Sequence, residues 1–252
     1  MRQIFTAYPY ISPREPEKIA RWIREHGQRR EVARGEVLKY GGEANRLFLV
    51  EEGLCAYYVA EQTGVATIMS LLPPGRTIGD MTTTANAQCN VLSRALSPSV
   101  VYVCSPAAYR EMLLADPQVM ALKLSHAILK EESTLEGMVA NFTRPPEERL
   151  KMLFRAMLLE SDSKEEWQLI PYRLSAQVIG EVIHLQRQTV SALESRLVRE
   201  GVLKKAGRDR WVKVAAFEDL YDWIDRPQGV HNPGRIGIIA PQECLKIFQV
   251  VC

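Results

Sequence analysis

A chain of 252 residues has room for two domains of ordinary size, each with its own core. With 46% hydrophobic and 25% charged residues it reads as a soluble globular protein, and no run is long and apolar enough to cross a bilayer. The five cysteines, Cys55, Cys89, Cys104, Cys244 and Cys252, are odd in number and widely spaced, with no CxxC pair; this argues against a disulfide framework and a structural zinc site and for a reducing, cytoplasmic compartment. The opening MRQIFTAYPYISPREPEK lacks the apolar core of a signal peptide.

In chain order, a first helix is expected over Glu15–His26, with Ile19, Trp22 and Ile23 on one face. From Glu31 to Cys104 the chain breaks into short β-rich runs. Gly35, Gly41-Gly42, Gly53, Gly64, Gly75 and Gly79 fall near the turns, at the spacing of an all-β sandwich or jelly roll whose last strand is Ser99–Cys104. Such a roll encloses a cavity suited to a small ligand. A short helix with Pro106 in its first turn follows over Ser105–Leu114, and then a long one over Pro117–Phe142. Along it Leu124, Ile128, Glu131, Leu135, Met138 and Phe142 alternate spacings of four and three, a heptad seam. The seam could pack on the chain's own roll; pairing with a second copy is preferred. Thr143-Arg-Pro-Pro146 ends that helix, and Pro145 and Pro146 suit the first turn of the next, Glu147–Glu160. A polar loop over Ser161–Glu166 and a short strand over Trp167–Pro171 follow.

The stretch LSAQVIGEVIHLQRQTVSALESRLVREGVL, Leu174 to Leu203, reads as two helices and a sharp turn. Ser175 can cap the first, with Ile179, Val182 and Ile183 inward; Val190, Leu193 and Leu197 turn inward from the second. Gly180 sits where the second helix is expected to cross the first. Arg187, Gln188, Ser191 and Ser195 face outward from the second helix, as in a helix-turn-helix that enters the major groove. A β-hairpin wing is expected from Val202–Lys205 and Trp211–Val214 around Ala206-Gly-Arg-Asp209, and a last helix over Phe217–Ile224. Arg173 to Lys213 carries nine basic residues against four acidic ones, an excess that suits a phosphate backbone; the overall net charge of +2 hides it. From Pro227 to Cys252 the pattern fades, with small apolar clusters at Ile236–Ile239 and Leu245–Val251 and no assignable role.

The order of β-roll, seam helix and winged helix-turn-helix resembles the family of the cyclic-AMP receptor protein and the fumarate–nitrate reduction regulator (CRP/FNR) over roughly residues 30–220. The resemblance rests on Arg34-Gly35-Glu36-Val37-Leu38 followed by Gly42-Glu43, on Ile78-Gly79-Asp80-Met81, on Arg94-Ala95-Leu96 and on the Leu174–Leu203 block. It implies an α+β protein: an N-terminal cyclic-nucleotide-binding-like β-roll (jelly roll), a long dimerisation helix and a C-terminal winged helix-turn-helix. The implied function is that of a homodimeric transcription regulator, not an enzyme. Its partners would be a palindromic double-stranded DNA site, a small-molecule effector and, further, RNA polymerase, with no membrane involved. The corresponding division is 1–116 for effector binding, 117–143 for dimerisation and hinge, 144–226 for DNA binding, and 227–252 as a tail.

Carried over by position, Arg187 and Gln188 match residues that contact base edges. Arg can grip guanine O6 and N7, and Gln can do the same for adenine. Thr189 matches a phosphate contact, Ser191 and Ser195 face the duplex, and Lys204 and Arg208 of the wing lie near phosphate. Gln186 stands where the family often has a Ser cap, Ala192 where the receptor protein has a further Arg, and His184 where the turn usually has Gly. Gly79, Asp80, Met81, Thr82, Thr83, Cys89, Asn90, Thr134 and Leu135 are the expected effector-site residues. Nucleotide-binding members carry Arg-Ser for the cyclic phosphate, whereas Cys89-Asn90-Val91 falls there, so an effector other than cyclic AMP is expected.

The cofactor is not fixed by the sequence. An iron–sulfur cluster is disfavoured because no Cys precedes Cys55, and haem has only His126 and Cys89 as candidate ligands. No metal site is assigned. Alternatives to this reading include a cupin-type metal enzyme on the roll, for which Glu31–Cys104 contains no His, and a thiol-based redox-sensing regulator using Cys55, Cys89 or Cys104.

Overall fold

The computed structural model describes residues 4–5, 7–40, 46–60, 66–85, 91–158 and 165–218. Pro16 precedes the first helix, α1 (Glu17–His26), which buries Ile19, Ala20 and Ile23 and ends where Gly27 turns the chain into strand. Among the described residues eight strands follow: β1 (Gln28–Val32), β2 (Val37–Lys39), β3 (Leu47–Glu52), β4 (Cys55–Ala60), β5 (Ala66–Leu72), β6 (Thr77–Ile78), β7 (Val91–Ala95) and β8 (Ser99–Cys104). They form two antiparallel sheets, ordered β1-β8-β3-β6 and β2-β7-β4-β5. Phe48, Val50, Leu72, Ile78 and Val101 are among the side chains that fill the space between them, the jelly roll expected from the turn spacing. α1 and α3 (Pro106–Ala115) bury a second apolar cluster with Leu47 and Leu49. Ser105 caps α3 by accepting from the Ala108 N–H.

The expected turn after Gly79 is a short helix, α2 (Asp80–Ala85). Gly79 makes it possible. Its φ is +80°, and a Cβ there would lie 2.1 Å from the Arg46 carbonyl oxygen, so no side chain fits. The Thr83 N–H then closes the first turn on the Gly79 carbonyl.

Asp116 caps the long helix α4 (Pro117–Thr143), accepting from the Gln118 N–H at 2.9 Å. Its seam is bare. Leu124 is 63% exposed and Phe142 78%, and Ile128, Glu131, Leu135 and Met138 are exposed beside them. The buried face of α4 is polar: Lys123, His126, Lys130, Ser133 and Glu136 point into the protein. Residues 7–16 thread between α4 and the second sheet. Ile11 bridges Leu71, and the Ser133 hydroxyl bonds the carbonyls of Tyr8 and Ile11.

The next helix, α5, spans Pro146–Leu158. Beyond it β9 (Trp167–Leu169) joins β10 (Leu203–Ala206) and β11 (Asp209–Lys213) in a three-stranded sheet, so the wing is a hairpin extended by one strand. Between them lie α6 (Ala176–Ile183) and α7 (Arg187–Arg199). α8 (Ala215–Glu218) begins two residues before the expected last helix. The expected loop residues 161–164 and the apolar clusters at 236–239 and 245–251 lie outside the described residues. α6 packs on β5 of the roll, and Tyr58, Ile68 and Leu71 share one apolar core with Ile179, Val182 and Val190. A polar tie runs alongside: Tyr10 donates to Asn141 at 3.0 Å, and Asn141 donates to the Val182 carbonyl at 3.0 Å.

No described helix is long and apolar enough to cross a membrane.

Candidate effector cavity and nucleic-acid interface

The polar face of α4 meets two carboxylates that the roll and the N-terminal segment supply. Lys123 donates to Glu15 at 2.6 Å and to Asp80 at 2.6 Å, and Lys130 donates to the second oxygen of Asp80 at 2.7 Å. Thr77 donates to Glu15 from the roll side. All four charged groups are buried, so each needs its partner: an unpaired ion there would cost several kcal/mol. Burial raises the Asp80 carboxyl, but Lys123 and Lys130 outweigh it and hold the pKa far below the usual 3.8. Burial likewise raises Glu15, and His126 and Lys123 outweigh it, leaving it below 4.5. Burial pushes His126 the other way, below 6.5, against the pull of Glu15.

Glu15, Asp80 and His126 bring ligand atoms within 4.8 Å of one another, the spacing of a metal site. The Lys123 ammonium stands among them, bonded to both carboxylates and 3.3 Å from His126 Nδ1, while His126 Nε2 lies 3.3 Å from the Pro13 carbonyl. The chain's own cation fills the place a metal would take, and both ring nitrogens of the one described candidate haem ligand are engaged.

Above this network lies a cavity of about 420 Å³ between the second sheet, α2 and α4. Lys39, Tyr57, Ser70 and Ser93 reach it from the strands, Met81 and Thr82 from α2, and Lys130, Glu131 and Thr134 from α4. Met69, Ala85 and Val91 supply apolar wall, and Ser12 enters from the N-terminal segment. Of the expected effector residues, Gly79, Met81, Thr82 and Thr134 line this space. Asp80 sits beneath it, committed to the two lysines, and Thr83 is buried outside it. Leu135 faces out on the seam, and Cys89 and Asn90 lie outside the described residues. Lys39, Tyr57, Lys130, Ser12 and Ser93 were not legible as site residues. The one signal was periodic: Lys123, His126 and Lys130 repeat at the same three-and-four spacing as the seam, on the opposite face.

Cys55 and Cys104 are buried thiols. Burial pushes Cys55 up to about 12, and raises Cys104 too, so neither presents a reactive thiolate.

At the other end of the chain, α6 starts on Ser175, which accepts from the Val178 N–H at 3.2 Å. It ends on His184 in the left-handed region, φ 53° and ψ 51°. Gly180 is needed for a different reason from the expected helix crossing. A Cβ there would sit 2.3 Å from the Leu185 carbonyl oxygen, so it is the connection, not the second helix, that comes too close. Gln186 precedes α7 and makes no side-chain cap. Gln186, Arg187, Gln188, Ser191 and Ser195 are exposed, and Thr189 is half-buried at the first turn. The Ser195 hydroxyl donates back to the Ser191 carbonyl.

Glu194, one acid among four in the sequence of this region, is an interior residue. It is 1% exposed and accepts from Lys205 and from Arg210 Nε, which pins the wing to α7. Other basic residues are also paired: Arg173 with Asp209, Arg196 with Glu147, Lys213 with Glu166. Arg187, Arg199, Lys204 and Arg208 make no ion pair among the described residues. Lys204 lies 3.8 Å over the Trp167 ring, and Arg208 is exposed at the wing tip. The basic excess therefore resolves to four side chains near the tip of α7, along it and on the wing.

A β-roll thus packs against a long helix, and a winged helix-turn-helix follows. Residues 29–116 match the cyclic nucleotide-binding domain. The chain is similar to FixK2 from Bradyrhizobium japonicum, with a TM-score of 0.70 at 16% identity over 79% of this chain and 99% of that one. It is similar to the c-di-GMP-responsive global regulator CLP of Xanthomonas campestris, with a TM-score of 0.63 at 16% identity over 78% and 98%. A CooA variant from Carboxydothermus hydrogenoformans gives 0.64 at 13% identity over 86% and 98%. No curated protein sequence matches the chain. These likenesses establish the fold.

Proposed function

We propose that this chain is a homodimeric, sequence-specific DNA-binding transcription regulator, not an enzyme, acting in the cytoplasm. Its β-roll senses a small effector other than cyclic AMP and repositions the helix-turn-helix. The observation that carries this reading is the double duty of α4. Lys130, Glu131 and Thr134 line the cavity, while Leu124, Ile128, Leu135, Met138 and Phe142 form an exposed apolar stripe on the same helix. An exposed stripe at heptad spacing is suited to a second copy, and Glu131 belongs to both surfaces. A ligand that moves this helix by even a small amount changes how two protomers aim their α7 tips.

Residues 1–116 serve as the effector unit, 117–143 as the dimer helix and 144–226 as the DNA-binding unit. Arg187 and Gln188 read bases, with Gln186, Thr189, Ser191 and Ser195 beside them and Lys204 and Arg208 on phosphate. RNA polymerase is a further partner of such a regulator. The structure offers the metal-enzyme alternative no support, since Lys123 fills the one His-and-carboxylate cluster among the described residues.

Light scattering on the native chain and on Ile128→Glu tests the central part. The native chain should run as a dimer and bind duplex DNA. The variant should keep its circular dichroism, run as a monomer and lose DNA affinity. A native monomer that binds DNA equally well contradicts the proposal.

A further inference from the structure

We propose that the cavity between the second sheet and α4 takes an amphipathic organic anion, its charged group on Lys39 and its apolar body against Met69, Met81 and Val91. This rests on the reading of that cavity as the effector site. Among the described residues the buried charges around it do not balance. Lys123 and Lys130 face Glu15 and Asp80, two ammoniums against two carboxylates. Lys39 is a third buried ammonium, 3% exposed, and its side-chain partner is the neutral Thr82 hydroxyl at 2.7 Å. Among the described residues no carboxylate lies within ion-pair distance of it. A buried cation without a counter-charge is costly, and a bound anion removes that cost.

Two further groups point the same way. Ser12 and Ser93 line the cavity, are almost wholly buried, and their hydroxyls have no hydrogen-bond partner among the described residues. Each can donate to an anion's oxygens. Thr82 uses its own proton on the Gly79 carbonyl at 3.0 Å, so it accepts from Lys39 and leaves the other ammonium protons free. Glu131 is the one carboxylate among the described lining residues and is solvent-exposed, where water and salt screen it. The remaining wall is largely apolar, and 420 Å³ suits a ring-sized organic body. One strong cation, two hydroxyl donors and an apolar wall select a carboxylate, phosphate or sulfonate on a hydrophobic frame.

The test is calorimetric titration of the full chain with 1-naphthoate, its neutral analogue 1-naphthamide, 1-naphthyl phosphate and cyclic AMP. The carboxylate or the phosphate monoester should bind, and the amide should bind far more weakly. Lys39→Met should weaken the anion by about tenfold to a hundredfold, the scale of one charged hydrogen bond, and leave the amide nearly unchanged. Lys39→Arg should restore most of the loss. Equal binding of naphthoate and naphthamide overturns the anion while leaving an effector cavity in place. Tighter binding of cyclic AMP than of either naphthalene anion replaces the class by a nucleotide. Binding of none of the four at millimolar concentration overturns the anion and the effector reading together. Should Lys39→Met fail to fold by circular dichroism, the acid–amide pair on the native chain decides alone.

Discussion

Arg187 and Asp80 show how much can rest on single side chains. Arg187 is exposed at the first residue of α7 with no ion pair among the described residues, so its guanidinium is available to a guanine edge. Arg187→Ala should cost about 1–3 kcal/mol of specific binding, relax preference at one base pair and leave binding to scrambled duplex largely intact, as fluorescence anisotropy would report. Asp80 is the opposite kind of residue: buried, and the acceptor for two buried lysines. Asp80→Asn should lower stability by about 3–5 kcal/mol in urea denaturation, because Lys130 then loses its carboxylate and Lys123 keeps only Glu15. The pH response has a definite sign. His126, Glu15 and Asp80 all have folded pKa values below their ordinary ones, so the unfolded chain takes up more protons as pH falls. Their stabilisation is present at neutral pH. It declines first below the ordinary histidine value of 6.5, then more steeply below about 4 as the carboxylates come into range. Glu136, which burial raises, works in the other direction. Asp80→Asn should flatten the steep acid limb; an unchanged limb would show that the cluster does not set acid stability.

At the scale of elements, α4 and the wing carry most of the consequence. The strands, the long helix and the two short helices were legible because each follows a simple period or a turn residue. Ser99–Cys104 matches β8, and the Pro117 start of α4 is where Pro and the Asp116 cap place it. The seam was legible for the same reason, since apolar residues at heptad spacing stand out. The opposite face was not. Burial of Lys123, His126 and Lys130 depends on Glu15 and Asp80, which are 108 and 43 residues from Lys123 in the chain, and no local pattern reports a pairing at that range. The role of Glu194 was hidden in the same way, because its partners sit on the wing and not on α7. α2 was missed because six residues rich in Thr carry no helical period. The wing makes its own prediction. Lys204 and Arg208 are its cations without ion pairs among the described residues, so replacing both with Ala should reduce the slope of log affinity against log salt by roughly two, about one per phosphate contact. An unchanged slope would place the duplex elsewhere.

For the molecule as a whole, one apolar core runs from the second sheet through α6 into the winged helix-turn-helix, while α4 shares its two faces between the cavity and solvent. That continuity is what would let occupancy of the roll reach α6 and α7: α6 touches β5, and Asn141 near the end of α4 holds the Val182 carbonyl. The measurement that bears most directly on the account is selection of bound sequences from a pool of random duplexes, followed by sequencing. A dimer presenting two α7 tips should enrich inverted half-sites whose centres lie about one helical turn, roughly 10 base pairs, apart. Enrichment of single, unpaired half-sites, or of no sequence at all, would contradict it.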